Sequence, residues 1–184
     1  MFPLGDENPT RRAPLVNWAL IALNIVAFVL ELRFGERFIV QWSFIPARFS
    51  ALLSGSDDLQ ALATVLTAMF LHAGWSHIIG NMLFLWIFGD NVEERFGSGP
   101  YLIFYLLCGL AATAAQYVTN RASLAVNLGA GGAISGVMAA YLVMFPGALI
   151  RFFVWPLSLF LGILRIPAVL VLLIWFAMPL MPAF

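Results

Sequence analysis

A chain of 184 residues that is 62% hydrophobic and 10% charged, with a mean hydropathy of +0.96, carries more apolar surface than a water-soluble domain can bury, since such domains are roughly half apolar. Nine arginines balance nine acidic residues and lysine is absent, so no basic patch is left over for nucleic acid. The one cysteine, Cys108, excludes an internal disulfide framework, and the length fits five or six membrane helices in one all-α bundle at about 20 residues per crossing.

Because a charge at the centre of a spanning helix costs about 2.5–3.5 kcal/mol, charged residues mark where spans end. Arg11 and Arg12 precede the first apolar run, as in cleaved or twin-arginine signals. The run is too long for a signal core and no A-x-A site closes it, so it reads as a retained first span over residues 15–32. Pro14 opens it, and Glu31, Arg33, Gly35, Glu36 and Arg37 close it. Asn17 and Asn24 within it are expected to face neighbouring helices. Residues 38–75 mix Trp42, Pro46, Arg48, Gly55, Asp57 and Asp58 with apolar residues. They are too apolar for a free loop and predict a partly buried, interfacial connection with short helices, one over 59–70.

The second span is predicted over 76–92 and ends in the charged corner Glu93-Glu94-Arg95, followed by Gly97-Ser98-Gly99-Pro100. A third span is expected over 101–118 and a fourth over 129–146. Between Arg151 and Arg165 lies an apolar stretch too short to cross, read as interfacial. The fifth span is expected over 166–182, with Pro167 in its first turn and Pro179 and Pro182 near its end. Five arginines (Arg11, Arg12, Arg95, Arg151, Arg165) fall on the amino-terminal face and four on the other, which predicts a cytoplasmic amino terminus.

Polar groups inside a membrane are costly and mark candidate sites. His77 and Asn81 stand four residues apart, on one helix face, and Phe84 and Phe88 continue that face. An imidazole N–H beside an amide N–H can stabilise a developing oxyanion where water is scarce; the same pair also suits a plain interhelical hydrogen bond. In the run from Gly129 to Gly136, residues Gly132, Gly136 and Ala140 recur every four positions. They bare one helix face for close packing, and spacing alone implies nothing more.

The segment Met69-Phe70-Leu71-His72-Ala73-Gly74-Trp75-Ser76-His77, continuing through Asn81-Met82 and Phe88-Gly89-Asp90-Asn91-Val92-Glu93, resembles the second-helix signature of bacterial rhomboid intramembrane serine proteases. The run from Gly129 to Gly136, with Ala140-Tyr141 and Phe145-Pro146, is similar to their active-site helix. Arg165-Ile166-Pro167-Ala168 with Ile174-Trp175-Phe176 is similar to the helix after it. The resemblance covers nearly the whole chain in order. It implies a six-helix bundle in which a serine at the amino end of helix four attacks a peptide bond of a transmembrane substrate, with a histidine on helix six as base.

Carried over, the family's G-x-S-G falls on Gly129-Ala130-Gly131-Gly132, so the nucleophile's position is Gly131, which has no hydroxyl. His77 and Asn81 match the oxyanion-hole side chains, completed by the N–H of residue 131. Gly129, Gly132, Gly136, Glu93 and Arg95 match structural positions. The base would lie in an A-H-x-G-G motif beyond Phe184; His72 and His77 are the two histidines present, and neither matches it. Ser135 lies about 5.4 Å further along the helix with no histidine to activate it. An absent sixth helix would leave an open slot beside Gly132, Gly136 and Ala140.

Nucleophile and base act as a unit, so the expected function is that of a rhomboid-family endopeptidase whose present copy is inactive. The alternative is a pseudoprotease that binds transmembrane clients without cutting them. A small transporter lacks support, because no ionisable pair lies deep in the later spans. Expected partners are transmembrane proteins and the lipid bilayer, with no cofactor, no metal and no nucleic acid. The expected location is a bacterial inner membrane.

Overall fold

The computed structural model describes residues 2–156, 158 and 162–177. Helix α1 (Leu15–Phe34) is followed by three short helices, α2 (Glu36–Trp42), α3 (Pro46–Leu53) and α4 (Gln60–Thr67), and a 3₁₀ turn (Ala68–Phe70). Next come α5 (Trp75–Phe96), α6 (Ser98–Thr119) and α7 (Gly131–Met144). A last described helix, α8 (Ala168–Ala177), begins two residues later than expected, and the far end of that span, with Pro179 and Pro182, lies outside the described residues. Helices α1 and α6 are long and apolar enough to cross a membrane, and α5 makes a third crossing if it is joined to the 60–70 segment, from which it is bent by 72°.

The start of α1 has no capping Ser, Thr, Asp or Asn. Pro14 holds the cap position, where its missing N–H costs nothing. The free N–H groups of the first turn are satisfied from another helix. Glu93, 3% exposed, accepts from the backbone N–H of Val16 at 3.1 Å and Asn17 at 2.8 Å, and from the Ser98 hydroxyl at 2.6 Å. One carboxylate thereby anchors the start of α1 and the start of α6 to the end of α5, at the end of a helix where negative charge is favoured. Asn17 adds a second tie, donating to the Leu85 carbonyl and accepting from the Tyr101 hydroxyl.

Helix α7 is short. Its 14 residues reach about 21 Å against a hydrocarbon thickness of about 30 Å. It packs on α6 through its small-residue face, with Gly132 against Ala112 and Gly136 against Cys108 and Phe104; a Cβ at either glycine would clash. That face is therefore covered by α6 and is not an open slot. Ala112 stands seven residues short of the end of α6 at Thr119, so α7 begins about 10 Å below that end. The backbone that descends to this depth finds its hydrogen bonds in the first loop. Phe44 and Asn127 exchange N–H···O bonds of 3.0 and 2.8 Å, Ala47 donates to the Ser123 carbonyl, and Gly129 donates to the Ala68 carbonyl at 2.8 Å.

On the face where α1 starts, the helices carry a three-stranded antiparallel sheet that hydropathy does not announce: β1 (Phe2–Asp6), β2 (Leu149–Phe153) and β3 (Leu164–Pro167), in that order. It takes up the two ends of the stretch expected to be interfacial. Asp6 pins β1 to the bundle, since its carboxylate accepts from Tyr141, from Asn91 and from Asn8. Arg165 pairs with Glu7 at 2.9 Å.

Truncating Glu93→Ala leaves two first-turn N–H groups of α1 unpaired, and should cost about 2–4 kcal/mol. Denaturant titration of helicity in micelles measures it, and a loss below about 0.5 kcal/mol, the range of an ordinary surface change, would refute the anchoring role. Burial pushes the Asp6 carboxyl above its ordinary value of 3.8. Its protonated form therefore favours the docked strand: this contribution is fully present below pH 3.8 and is lost as the pH rises through the folded value. Hydrogen-exchange protection factors across β1 and β2 should fall from pH 4 to pH 7, and Asp6→Asn should remove that dependence.

Candidate active site

At the opposite end of α5, the 3₁₀ turn and the Leu71–Gly74 turn bring two histidines together, with ring centroids 5.1 Å apart. His72 is buried, and both its nitrogens are committed. Nδ1 lies 3.2 Å from the Phe70 carbonyl, which can only accept, so the proton sits on Nδ1. Nε2 then accepts from Asn81 Nδ2 at 3.1 Å. The backbone N–H of His72 donates to both carboxylate oxygens of Glu31, at 3.0 and 3.2 Å.

His77 is fixed in the complementary tautomer. Its Nδ1 accepts from the Ala73 N–H at 3.3 Å, which leaves the proton on Nε2. That N–H lies against Gly129: a Cβ added there would stand 3.0 Å from Nε2 and 2.7 Å from Cε1. Gly129 also has φ +121°, in the region that L side chains rarely adopt. Both backbone and space demand glycine at this position.

Gly131 is the first residue of α7. The N–H groups of that first turn have no intrahelical acceptor, and the helix dipole favours negative charge before them. A Cβ at 131 would meet nothing within 4 Å. The position borders a groove of about 480 Å³ lined by His77, Gly80 and Asn81 of α5, Ser135 of α7, and Trp175 and Phe176 of α8. Trp175 packs on Phe84 at 5.7 Å, so the face continuing from His77 and Asn81 meets α8. The Ser135 hydroxyl donates to the Gly131 carbonyl at 2.6 Å, one turn back along its own helix.

The positions predicted from sequence thus divide into three groups. His77, Asn81 and Gly131 line the groove and Gly129 lies against His77; Gly132 and Gly136 lie on the α6 face; Glu93 and Arg95 lie at the far end of α5, where Arg95 stacks over Phe145 at 5.8 Å. Glu31 and His72 hold the donors in place and are not singled out by sequence reasoning. Glu31 reads as a boundary charge, yet it is 3% exposed. The signal available was its place before Arg33: a carboxylate still inside an apolar run demands a buried donor.

His77, Asn81 and the first residue of α7 thus line one groove, with an imidazole N–H and the free N–H groups of a helix start in its walls. Donors of these kinds can stabilise a developing oxyanion of acyl transfer. Residues 59–184 match the family model described as the rhomboid domain. Over 134 residues the chain is 39% identical to "Rhomboid-like protein 11, chloroplastic" of Arabidopsis thaliana, covering 73% of this chain and 43% of that protein. It is 32% identical over 130 residues to "Rhomboid protease GluP" of Bacillus subtilis, covering 70% and 24%, and 28% identical over 144 residues to "Rhomboid protein 1, mitochondrial" of Saccharomyces cerevisiae, covering 76% and 39%. The chain spans less than half the length of these relatives.

Two substitutions separate the roles of the glycines. Gly129→Ala should destabilise the fold by about 1–3 kcal/mol through backbone strain and collision with His77, whereas Gly131→Ser should stay within about 0.5 kcal/mol of the parent. Thermal unfolding in one detergent compares them; equal effects would show that His77 does not depend on Gly129.

Proposed function

Because this chain belongs to the rhomboid family, we propose that it is an integral membrane protein built on an intramembrane serine-peptidase site, with the oxyanion half assembled and the nucleophile's position empty. The observation that carries this reading is the meeting of His77 Nε2–H and Asn81 with the start of α7 at Gly131, where space for a side chain is open. In the parent chemistry a hydroxyl at 131 attacks the carbonyl of a transmembrane substrate seated in the groove between α5 and α8. The resulting oxyanion takes the N–H groups of His77, Asn81 and the helix start, and a histidine from a sixth helix accepts the hydroxyl proton.

Among the described residues no such pair is assembled. Gly131 has no hydroxyl. His72 is consumed by Phe70 and Asn81, His77 Nδ1 by the Ala73 N–H, and Ser135 by the Gly131 carbonyl. The chain as it stands is proposed to be inactive as a peptidase. The groove itself favours a second reading, a pseudoprotease that binds clients, since it persists without a nucleophile. The arginine count favours a cytoplasmic amino terminus, and the resemblance to bacterial rhomboids favours a bacterial inner membrane.

Cleavage of a model transmembrane substrate in liposomes tests the assignment. The parent chain and Gly131→Ser alone should be silent, and Gly131→Ser with a grafted rhomboid sixth helix bearing A-H-x-G-G should cut. Activity in the single variant would overturn the assignment of the missing base. Silence from the fully repaired chain, folded and still binding substrate, would favour the client-binding reading.

A further inference from the structure

The face that carries the amino terminus holds a second polar cavity, of about 640 Å³, far from the groove. The linker into α1 contributes Asn8, Arg11 and Arg12; the end of α5 contributes Glu94 and Arg95; Phe145 closes one wall. Three arginines therefore line the cavity against one carboxylate, that of Glu94, and the other acids nearby are engaged elsewhere. Glu93 is taken by the start of α1 and by Ser98. Glu94 accepts the Arg11 backbone N–H at 2.9 Å. Asp6 is held by Tyr141, Asn8 and Asn91, Asp90 by Asn91, and Glu7 by Arg165. Among the described residues, Arg11, Arg12 and Arg95 form no ion pair.

The cavity lies at the level where spans begin and end. Arg12 is three residues before α1, Arg95 is the penultimate residue of α5, and the exposed Leu15 and Trp18 of the first turn of α1 put lipid-facing surface beside it. Trp is favoured at this depth, and basic pockets between membrane helices suit anionic headgroups. Arg95 is held over Phe145, and guanidinium groups bind phosphate oxygens in pairs.

We propose that this cavity binds the phosphate of an anionic lipid headgroup, so that one leaflet lipid joins the amino-terminal linker to the end of α5. A soluble phosphate shares the same chemistry, and the test separates the two sources.

The full chain in neutral micelles is titrated with dioleoylphosphatidylglycerol, dioleoylphosphatidylcholine or inorganic phosphate. Retained adducts are counted by native mass spectrometry and the unfolding midpoint is followed in parallel. Phosphatidylglycerol should be retained and raise the midpoint, phosphatidylcholine much less so. Arg11→Gln with Arg12→Gln should weaken retention by about fivefold for each arginine removed. The side chains of these two residues make no hydrogen bond or ion pair among the described residues, so the variant should fold as the parent does. Arg33→Gln with Arg37→Gln, on the opposite face, should change nothing. A midpoint rise with inorganic phosphate that the double variant loses would support the site and assign it to the soluble source. Equal retention by the double variant and the parent, or equal retention of phosphatidylcholine, would overturn the proposal; Arg95→Gln repeats the test from the other wall.

Discussion

A backbone that leaves helical structure within the thickness of a bilayer must find partners for its N–H and C=O groups inside the protein. Helix α7 begins about 10 Å below the end of α6, and the chain that descends to it meets this demand by pairing with the first loop at Phe44, Ala47 and Ala68. The first loop is therefore more than a connection. It provides the backbone edge on which the start of α7 rests, and its own exit, through the 3₁₀ turn and the 72° bend, delivers His72 and His77 to the same place. Recessing a helix start and surrounding it with donors follow from one packing solution.

The tautomers extend that logic to chemistry. A neutral histidine is a donor at one nitrogen and an acceptor at the other, and the two histidines here are oriented oppositely by backbone groups. Phe70 fixes the proton of His72 on Nδ1, which turns Nε2 toward Asn81. Ala73 occupies Nδ1 of His77, which leaves a donor facing α7. Neither ring retains a lone pair pointing into the groove. Both rings are thereby set to hold or present donors, the kind of group that stabilises negative charge. Glu31, through the His72 N–H, ties this cluster to α1, and α1 is in turn held by Glu93 at its far end.

Much of this is legible in the sequence where a periodic signal exists. The spans near 15–32, 76–92 and 101–118 correspond to Leu15–Phe34, Trp75–Phe96 and Ser98–Thr119, because charge and glycine bound long apolar runs. The shared face of His77 and Asn81 is legible because both lie within one helix. What is not legible depends on contacts distant in sequence. Glu93 caps a helix 77 residues earlier, and Glu31 serves a turn 41 residues later. The sheet escapes notice because Phe2–Asp6 contains Pro3 and Gly5 and shows no alternation, so its strand character exists only against Leu149–Phe153. The partner of the Gly132–Gly136 face also required the structure, since small residues announce close approach without saying to what.

The glycines of the 129–136 run make the last distinction. Gly129 is dictated by its positive φ and by the imidazole against it; Gly132 and Gly136 are dictated by α6. Gly131 is dictated by neither. Its φ lies outside the left-handed region and a Cβ there would touch nothing, while glycine in a helix is disfavoured against almost any side chain. Packing and backbone geometry thus account for three of the four glycines and leave the fourth without a structural cause, at a position that borders the same groove as His77 and Asn81. The space at residue 131 is open to a side chain that glycine does not have, and the groove beside it is walled by α5 and α8 without any contribution from that side chain.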